Sequence, residues 1–288
     1  MKTTELKAYA KINIGLDITG KLENGYHLIK TIMQQVDLYD VVKVSYESGE
    51  LPASVEFICN SDNVPLDNTN LAYKAAIKMI EKFDIRGKII IDLDKRIPVA
   101  AGMAGGSTDG AAVIIGINEV CSLNKTVDEL CEIGVKLGAD VPFCILGGCA
   151  LCEGIGELLT PILVKPEMYT VISKPSIGIS TKYVYEHLRL DEVIHPDMDK
   201  MLRAFANRDF NAVINNLGNV LESVSAVENE IIVKLKAAQL EAGADGSLMS
   251  GSGPTVFGLY KTMDAAKKAE DILRKQFEDV FVKAVALR

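Results

Sequence analysis

Pro98-Val99-Ala100-Ala101-Gly102-Met103-Ala104-Gly105-Gly106-Ser107-Thr108-Asp109-Gly110-Ala111-Ala112 is the stretch that decides how this chain is read. It joins a short β-branched segment, Lys88 to Leu93, to a helical stretch from about Ser107 to Cys121. Small side chains at such a junction let the backbone approach a polyphosphate closely. The exposed N–H groups and positive dipole end of the helix would then hold negative charge. Ser107 or Thr108 stands where a hydroxyl could reach a magnesium ion. No Gly-Lys-Ser/Thr closes the segment and it lacks G-x-G-x-x-G, so it is neither a Walker A loop nor a dinucleotide fingerprint. A tight turn ending in a Ser or Thr helix cap accounts for the same residues, and spacing alone does not separate the two readings.

Upstream, Ala8 to Ile18 alternates. Ala10, Ile12, Ile14, Leu16 and Ile18 take one face, and Lys11, Asn13, Gly15 and Asp17 take the other. That period of two is a half-buried strand with Lys11 and Asn13 side by side on its open face. Gly20 to Gly25 reads as a polar turn and Thr31 to Val44 as further strand. From about Asn68, the residues Leu71, Ala72, Ala75, Ala76, Met79, Ile80 and Phe83 form a helical apolar stripe.

Downstream, Thr126 and Glu129 have capping-box spacing. Leu137-Gly138-Ala139-Asp140-Val141-Pro142-Phe143 holds a lone carboxylate among small and apolar residues. Asp140 is read either as the N-cap of a short helix, with Pro142 tolerated in its first turn, or as a base receiving a hydroxyl proton. The pattern weakens between Glu157 and Lys165, where a domain seam is expected, giving domains 1–157 and 158–288. Beyond it come a strand (Tyr169 to Ser173), a helical block (Pro196 to Ala242) and the strand–loop–strand Ser247 to Tyr260. A helix from about Asp264 to Phe277 and a last strand to Leu287 follow. The loop Ser250-Gly251-Ser252-Gly253-Pro254 is either a plain hairpin turn or a cover for a phosphate site. Strands and helices interleave without strict βαβ regularity, which predicts an α+β protein.

Bulk composition narrows the chemistry. A chain of 288 residues with a formal net charge of −8 has no broad basic surface for nucleic acid. The Met1–Lys7 segment lacks the apolar core of a signal peptide. The longest apolar run, Val141 to Cys152, is glycine-interrupted and short of the roughly 20 residues a bilayer span needs. A cytoplasmic protein without membrane attachment is expected. Cys149 and Cys152 form a C-x-x-C, but no second pair has ligand spacing and His27, His187 and His195 are scattered, so the cysteines read as structural thiols.

Lys-Ile-Asn near the start, Pro-x-x-x-Gly-x-x-Gly-Gly-Ser-Thr-Asp in the middle and Gly-Ser-Gly-Pro-Thr near the end together resemble the GHMP kinases. Matching segments run in order over nearly the whole chain. A narrower likeness, to members acting on an alcohol that carries a cytidine diphosphate group, lies in four segments. These are Ala8-Tyr9-Ala10-Lys11-Ile12-Asn13, Gly25-Tyr26-His27, Gly138-Ala139-Asp140-Val141-Pro142-Phe143 and Gly154-Ile155-Gly156-Glu157. The resemblance implies a two-domain α+β GHMP kinase fold: an N-terminal domain of mixed sheet and helices and a ferredoxin-like C-terminal domain. It implies ATP as co-substrate with Mg²⁺, Lys11 and Asp140 as the catalytic pair, and Pro98 to Thr108 as the ATP loop (Pro98, Val99, Ala100, Ala101, Gly102, Met103, Ala104, Gly105, Gly106, Ser107, Thr108). Asn13, Tyr26 and His27 fall where the family lines its cytidine and phosphate pocket, and Tyr185, or its neighbour Tyr183, where a second aromatic stacks on cytosine. Protein ligands for the metal are not assigned, and monomer and homodimer stay open. The chain departs from the family at Ala100 and Ala104, which usually are glycine, and at Thr108 and Gly110, which replace serine and alanine. Alanine where the backbone needs positive φ would be strained. A protein that keeps the fold without catalysis is the rival these departures leave open.

Overall fold

The computed structural model describes residues 1–23 and 25–288; Asn24, in the predicted polar turn, lies outside the described residues. The elements are β1 (Lys2–Lys21), β2 (His27–Pro52), β3 (Ser54–Cys59), α1 (Leu71–Phe83), β4 (Arg86–Asp94), α2 (Gly105–Val120), α3 (Val127–Gly134), α4 (Val141–Leu146), β5 (Cys149–Glu153) and β6 (Leu158–Pro161). They continue with β7 (Tyr169–Pro175), α5 (Thr181–His187), α6 (Met198–Ala206), α7 (Phe210–Asn215), β8 (Gly218–Asn219), α8 (Glu222–Glu228), α9 (Glu230–Glu241), β9 (Gly246–Met249), β10 (Val256–Tyr260), α10 (Met263–Gln276) and β11 (Val280–Ala286). The chain forms two compact units that interleave in sequence. One holds Met1–Ala10, Leu38–Val99 and Ala104–Gly147; the other holds Lys11–Asp37, Ala100–Met103 and Gly148–Arg288.

In the first unit β4 is sandwiched in the sheet. It pairs antiparallel with β2, from Val41↔Asp94 to Ser48↔Gly87, and parallel with β3, from Ser54↔Lys88 to Cys59↔Leu93. The parallel pair requires a crossover, which α1 supplies. Asn70 caps α1 by accepting from the Ala72 N–H, and Ala72, Ala75, Ala76 and Met79 are its buried side. α2 is buried over most of its length, and two glycines let it sit close to its neighbours. A Cβ on Gly116 would stand 2.6 Å from Val44 Cγ2, and one on Gly110 would stand 3.3 Å from the Leu71 carbonyl oxygen. The second contact gives a physical reason for glycine where the family usually has alanine. The capping box forms as expected: Thr126 Oγ1 accepts from the Glu129 N–H, and Glu129 Oε2 accepts from the Thr126 N–H.

In the second unit β7, β9, β10 and β11 make an antiparallel sheet in the order β11-β7-β10-β9. With α9 between β7 and β9, and α10 between β10 and β11, the order is that of a split βαβ, ferredoxin-like domain. β10, the sheet's most enclosed strand, is buried at every residue. Apolar faces of α9 and α10 close over the sheet through Leu235, Ala238, Ala266, Ala269 and Leu273. The same unit holds the β1 segment from Lys11 to Lys21, which pairs parallel with β8 at Gly15↔Gly218, and β2 pairing with β5 at Thr31↔Cys152.

Cys149 and Cys152 lie on β5, three residues apart in a strand and so on opposite faces. Both are buried and free, and burial pushes the Cys149 thiol up to about 12. Among the described residues no group of three or more His, Cys, Asp or Glu could cage a metal ion, and no helix is long and apolar enough to cross a membrane.

Candidate active site

β1 sets out the first part of the site. Its alternation buries Ile12 and Ile14 on one side and directs Lys11 and Asn13 to the other. Both polar side chains are nonetheless buried, so each needs partners. The Lys11 ammonium donates to Asn13 Oδ1 at 2.7 Å, and Asn13 Nδ2 donates to Thr31 Oγ1 at 2.9 Å. Thr31 in turn donates to the Gly15 carbonyl at 2.6 Å. This chain orients the amide of Asn13, and the amide oxygen holds the lysine.

The loop residues Ala100–Met103 belong to the same compact unit and dock on this strand. The Lys11 N–H donates to the Met103 carbonyl at 3.1 Å. Ser250 completes the clasp: its hydroxyl accepts from the Asn13 N–H at 3.3 Å and donates to the Gly102 carbonyl at 3.1 Å. Gly102 has φ +70°, and a Cβ there would lie 2.6 Å from the Ser250 carbonyl oxygen and 2.9 Å from that of Gly253. Only glycine fits. The Gly-Ser-Gly-Pro turn is therefore a brace for the loop, with Asn219 Nδ2 donating at 2.8 Å to the carbonyls of Met249 and Gly251 to hold it.

Two alanines occupy left-handed backbone in this loop, Ala100 at φ +52° and Ala104 at φ +56°. An L-residue pays roughly 1 kcal/mol to sit there. The strain expected at these departures from the family pattern is thus present in the backbone. Ala104 is also the N-cap of α2 and supplies no side-chain bond, so the helix begins at Gly105, two residues before the expected Ser107. The predicted Ser or Thr cap is not formed. The first-turn N–H groups of Gly105, Gly106 and Ser107 have no side-chain cap, an arrangement suited to an anion.

In the other unit Asp140 stands at the N-terminus of α4, with Pro142 in the first turn. Its carboxylate makes no capping bond, so the plain N-cap reading does not account for it. Close to the start of α2 lies a buried group of which the motifs contained only Asp109, without a role, and neither Lys95 nor Asp40. Lys95 Nζ contacts Asp40 Oδ2 at 2.5 Å and Asp109 Oδ2 at 2.8 Å. Burial, only partly offset by the facing Lys95 ammonium, holds the Asp109 carboxyl above its ordinary value. Burial also works against the Lys95 charge, but the facing Asp109 and Asp40 carboxylates outweigh it and the ammonium is held above its ordinary value. A charged residue on an otherwise apolar helix face was the one signal in the sequence, since such a position demands a partner.

His27 and Tyr185 come together in the second unit, ring centroids 5.1 Å apart and tilted by 46°. Tyr26 is 59% exposed. Burial and the nearby Lys21 charge both hold His27 below its usual value, favouring the neutral ring that can donate and accept at once. Tyr183 is engaged elsewhere: it stacks on His187 at 3.8 Å and its hydroxyl bonds Glu228. Another histidine, His195, pairs with Asp17 farther along β1 at 2.6 Å, and that bond raises its pKa.

Two family models match the chain, "GHMP kinases N terminal domain" at residues 70–148 and "GHMP kinases C terminal" at residues 201–279. The fold and these matches define a small-molecule kinase of the GHMP class. The chain is 46% identical to the 4-diphosphocytidyl-2-C-methyl-D-erythritol kinase of Clostridium botulinum (strain Eklund 17B / Type B), covering 96% of this chain and 98% of that protein. It is 43% identical to the kinase of the same name from Clostridium acetobutylicum, with the same coverage of each. Among solved structures, a 4-(cytidine 5'-diphospho)-2C-methyl-D-erythritol kinase superposes with a TM-score of 0.83 at 31% identity, covering 99% of both chains. A homoserine kinase from Cytophaga hutchinsonii shares the fold at 20% identity with a TM-score of 0.80, covering 100% of this chain and 95% of its own. The chain belongs to the 4-diphosphocytidyl-2-C-methyl-D-erythritol kinase family of the GHMP kinases.

Proposed function

We propose that this kinase transfers the γ-phosphoryl group of ATP to the C2 hydroxyl of 4-diphosphocytidyl-2-C-methyl-D-erythritol, a step of non-mevalonate isoprenoid precursor synthesis. The observation that carries the reading is identity to kinases of that name along nearly the full length of both chains. A net charge of −8 fits a small acceptor and not a nucleic acid. The reading includes a cytoplasmic enzyme acting as a monomer or homodimer, with family domains 1–157 and 158–288.

Phosphoryl transfer passes through a loose transition state, so positioning and charge stabilisation dominate. In this reading Lys11, oriented by Asn13, stabilises charge on the transferring phosphoryl group and the attacking oxygen. Asp140 accepts the hydroxyl proton late in the step, because a carboxylate is a weak base towards an alcohol in the ground state. The loop Pro98–Thr108 holds the phosphates through backbone N–H groups. A Mg²⁺ ion carried on the nucleotide would neutralise phosphate charge, with the Ser107 hydroxyl as the first candidate for a protein ligand. His27 reads the cytosine edge, and Tyr26 and Tyr185 supply aromatic faces.

The test is ATP consumption by the purified protein with Mg²⁺ and 4-diphosphocytidyl-2-C-methyl-D-erythritol, with homoserine, mevalonate and the acceptor lacking its cytidine as parallel substrates. Turnover only with the complete acceptor is expected. Equal turnover with an acceptor lacking cytidine overturns the substrate assignment.

A further inference from the structure

The Asp40–Lys95–Asp109 group lies outside the catalytic assignments, and its place in the fold gives it a role. Lys95 follows β4 directly, and Asp109 is in the second turn of α2, so one ammonium ties together the two ends of the loop 96–104. Asp40, on β2, secures the strand end as well: its Oδ1 accepts from the N–H groups of Arg96 at 2.5 Å and Ile97 at 2.7 Å. The helix end rests on the same ammonium, because a Cβ on Gly105 would stand only 3.0 Å from Lys95 Nζ and 3.3 Å from Ile97 Cγ2. All three charged side chains are at most 6% exposed. Asp109 Oδ1 is buried and has no hydrogen-bond partner. Leaving an acceptor unpaired in the interior costs free energy, and for stability alone an apolar residue would serve as well or better. An arrangement kept at that cost has its use in geometry.

We propose that Asp109, acting through Lys95 and with Asp40, is a positioning residue for the nucleotide. It holds the start of α2 against the end of β4, so that the first-turn N–H groups of α2 are already aimed when ATP arrives. The inference rests on reading this loop as the ATP site. Asp109 is buried against Lys95 and is not assigned to the reacting centre, so its loss should act on ATP binding and not on the chemical step.

Lys95 itself is a poor test, because removing it strands two buried carboxylates and destabilises the whole fold. Asp109→Ala leaves the balanced Lys95–Asp40 pair, and Asp109→Asn keeps an oxygen facing Lys95. KM for ATP, KM for the cytidylyl acceptor, kcat and Tm are measured for both, with Gly102→Ala as a control on the loop. Asp109→Ala is expected to raise the ATP KM about tenfold or more, while kcat and the acceptor KM change less than about threefold. Asp109→Asn is expected to recover most of the ATP KM. A lowered Tm with unchanged ATP KM in Asp109→Ala overturns the inference and leaves a purely structural group. If Gly102→Ala raises the ATP KM and Asp109→Ala does not, the positioning role alone fails. If neither moves the ATP KM and Gly102→Ala lowers Tm, the loop has kept its shape and the positioning role alone fails; if a bulkier Gly102→Val also leaves the ATP KM unchanged while the wild-type enzyme turns over, the loop assignment fails with it.

Discussion

Replacing Gly102 with alanine is the sharpest perturbation the loop offers. The residue sits at φ +70°, where an L-side chain costs about 1–2 kcal/mol. The new methyl would also lie 2.6 Å and 2.9 Å from two backbone oxygens, those of Ser250 and Gly253. Neither is the end of a flexible side chain, so the turn or the loop must move, and overpacking of this kind costs about 1–3 kcal/mol. The sum is roughly 2–5 kcal/mol. If the loop keeps its shape, the cost falls on stability, and at roughly 2–4 °C per kcal/mol for a chain of this size Tm drops by at least about 4 °C. If the loop relaxes instead, the cost appears in the ATP KM, where each 1.4 kcal/mol is about tenfold. Calorimetry and initial-rate kinetics on one preparation separate the two. The reverse change, Ala100→Gly, serves as control: it relieves the φ +52° strain but frees the unfolded chain, so stability should move by less than about 1 kcal/mol. A Gly102→Ala enzyme with wild-type Tm and wild-type ATP KM would refute the reasoning.

The remaining expectations are more direct. Asp140→Ala should lower kcat by about 10²–10⁴ with both KM values nearly unchanged, and a normal kcat would remove Asp140 as the base. His27→Ala and Tyr185→Ala should each raise the KM for the cytidylyl acceptor, whereas Tyr183→Ala should not, because Tyr183 stacks on His187; the opposite ranking would reassign the aromatic partner. An NMR titration of the imidazoles should place His27 below 6.5 and His195 above it, with Asp17→Asn bringing His195 back down. The signs follow from linkage. The His195 contribution to stability is present below pH 6.5 and lost as pH rises through its raised folded value. The His27 contribution is present above 6.5 and lost as pH falls through its lowered one. Equal midpoints for the two rings would contradict both environments.

Local periodicity is carried by neighbouring residues, and that part of the molecule was legible from the sequence. The alternation from Ala8 to Ile18 gave β1 and the side of it that carries Lys11, and Thr126 with Glu129 gave the start of α3. Small residues in Pro98–Thr108 identified the loop, and departure from the family pattern at Ala100 and Ala104 pointed to the two positions where its backbone is strained. The ordered motifs carried the family. Elements too short or too irregular for a period escaped notice: β8 has two residues, and β3 has six on a sheet edge. Long-range partners were beyond reach for a different reason. Ser250 serves Asn13 from 237 residues away, and Lys95 meets Asp40 from 55 residues away, through separations over which nothing in the local pattern specifies a contact. Tyr183 meets His187 one helical turn on, a local contact, whereas only tertiary structure brings Tyr185, on another side of α5, to His27. The sequence determined the class of chemistry and the elements that carry it; only packing determined which buried charges and hydroxyls hold those elements in place, because burial is what obliges a polar group to find a partner.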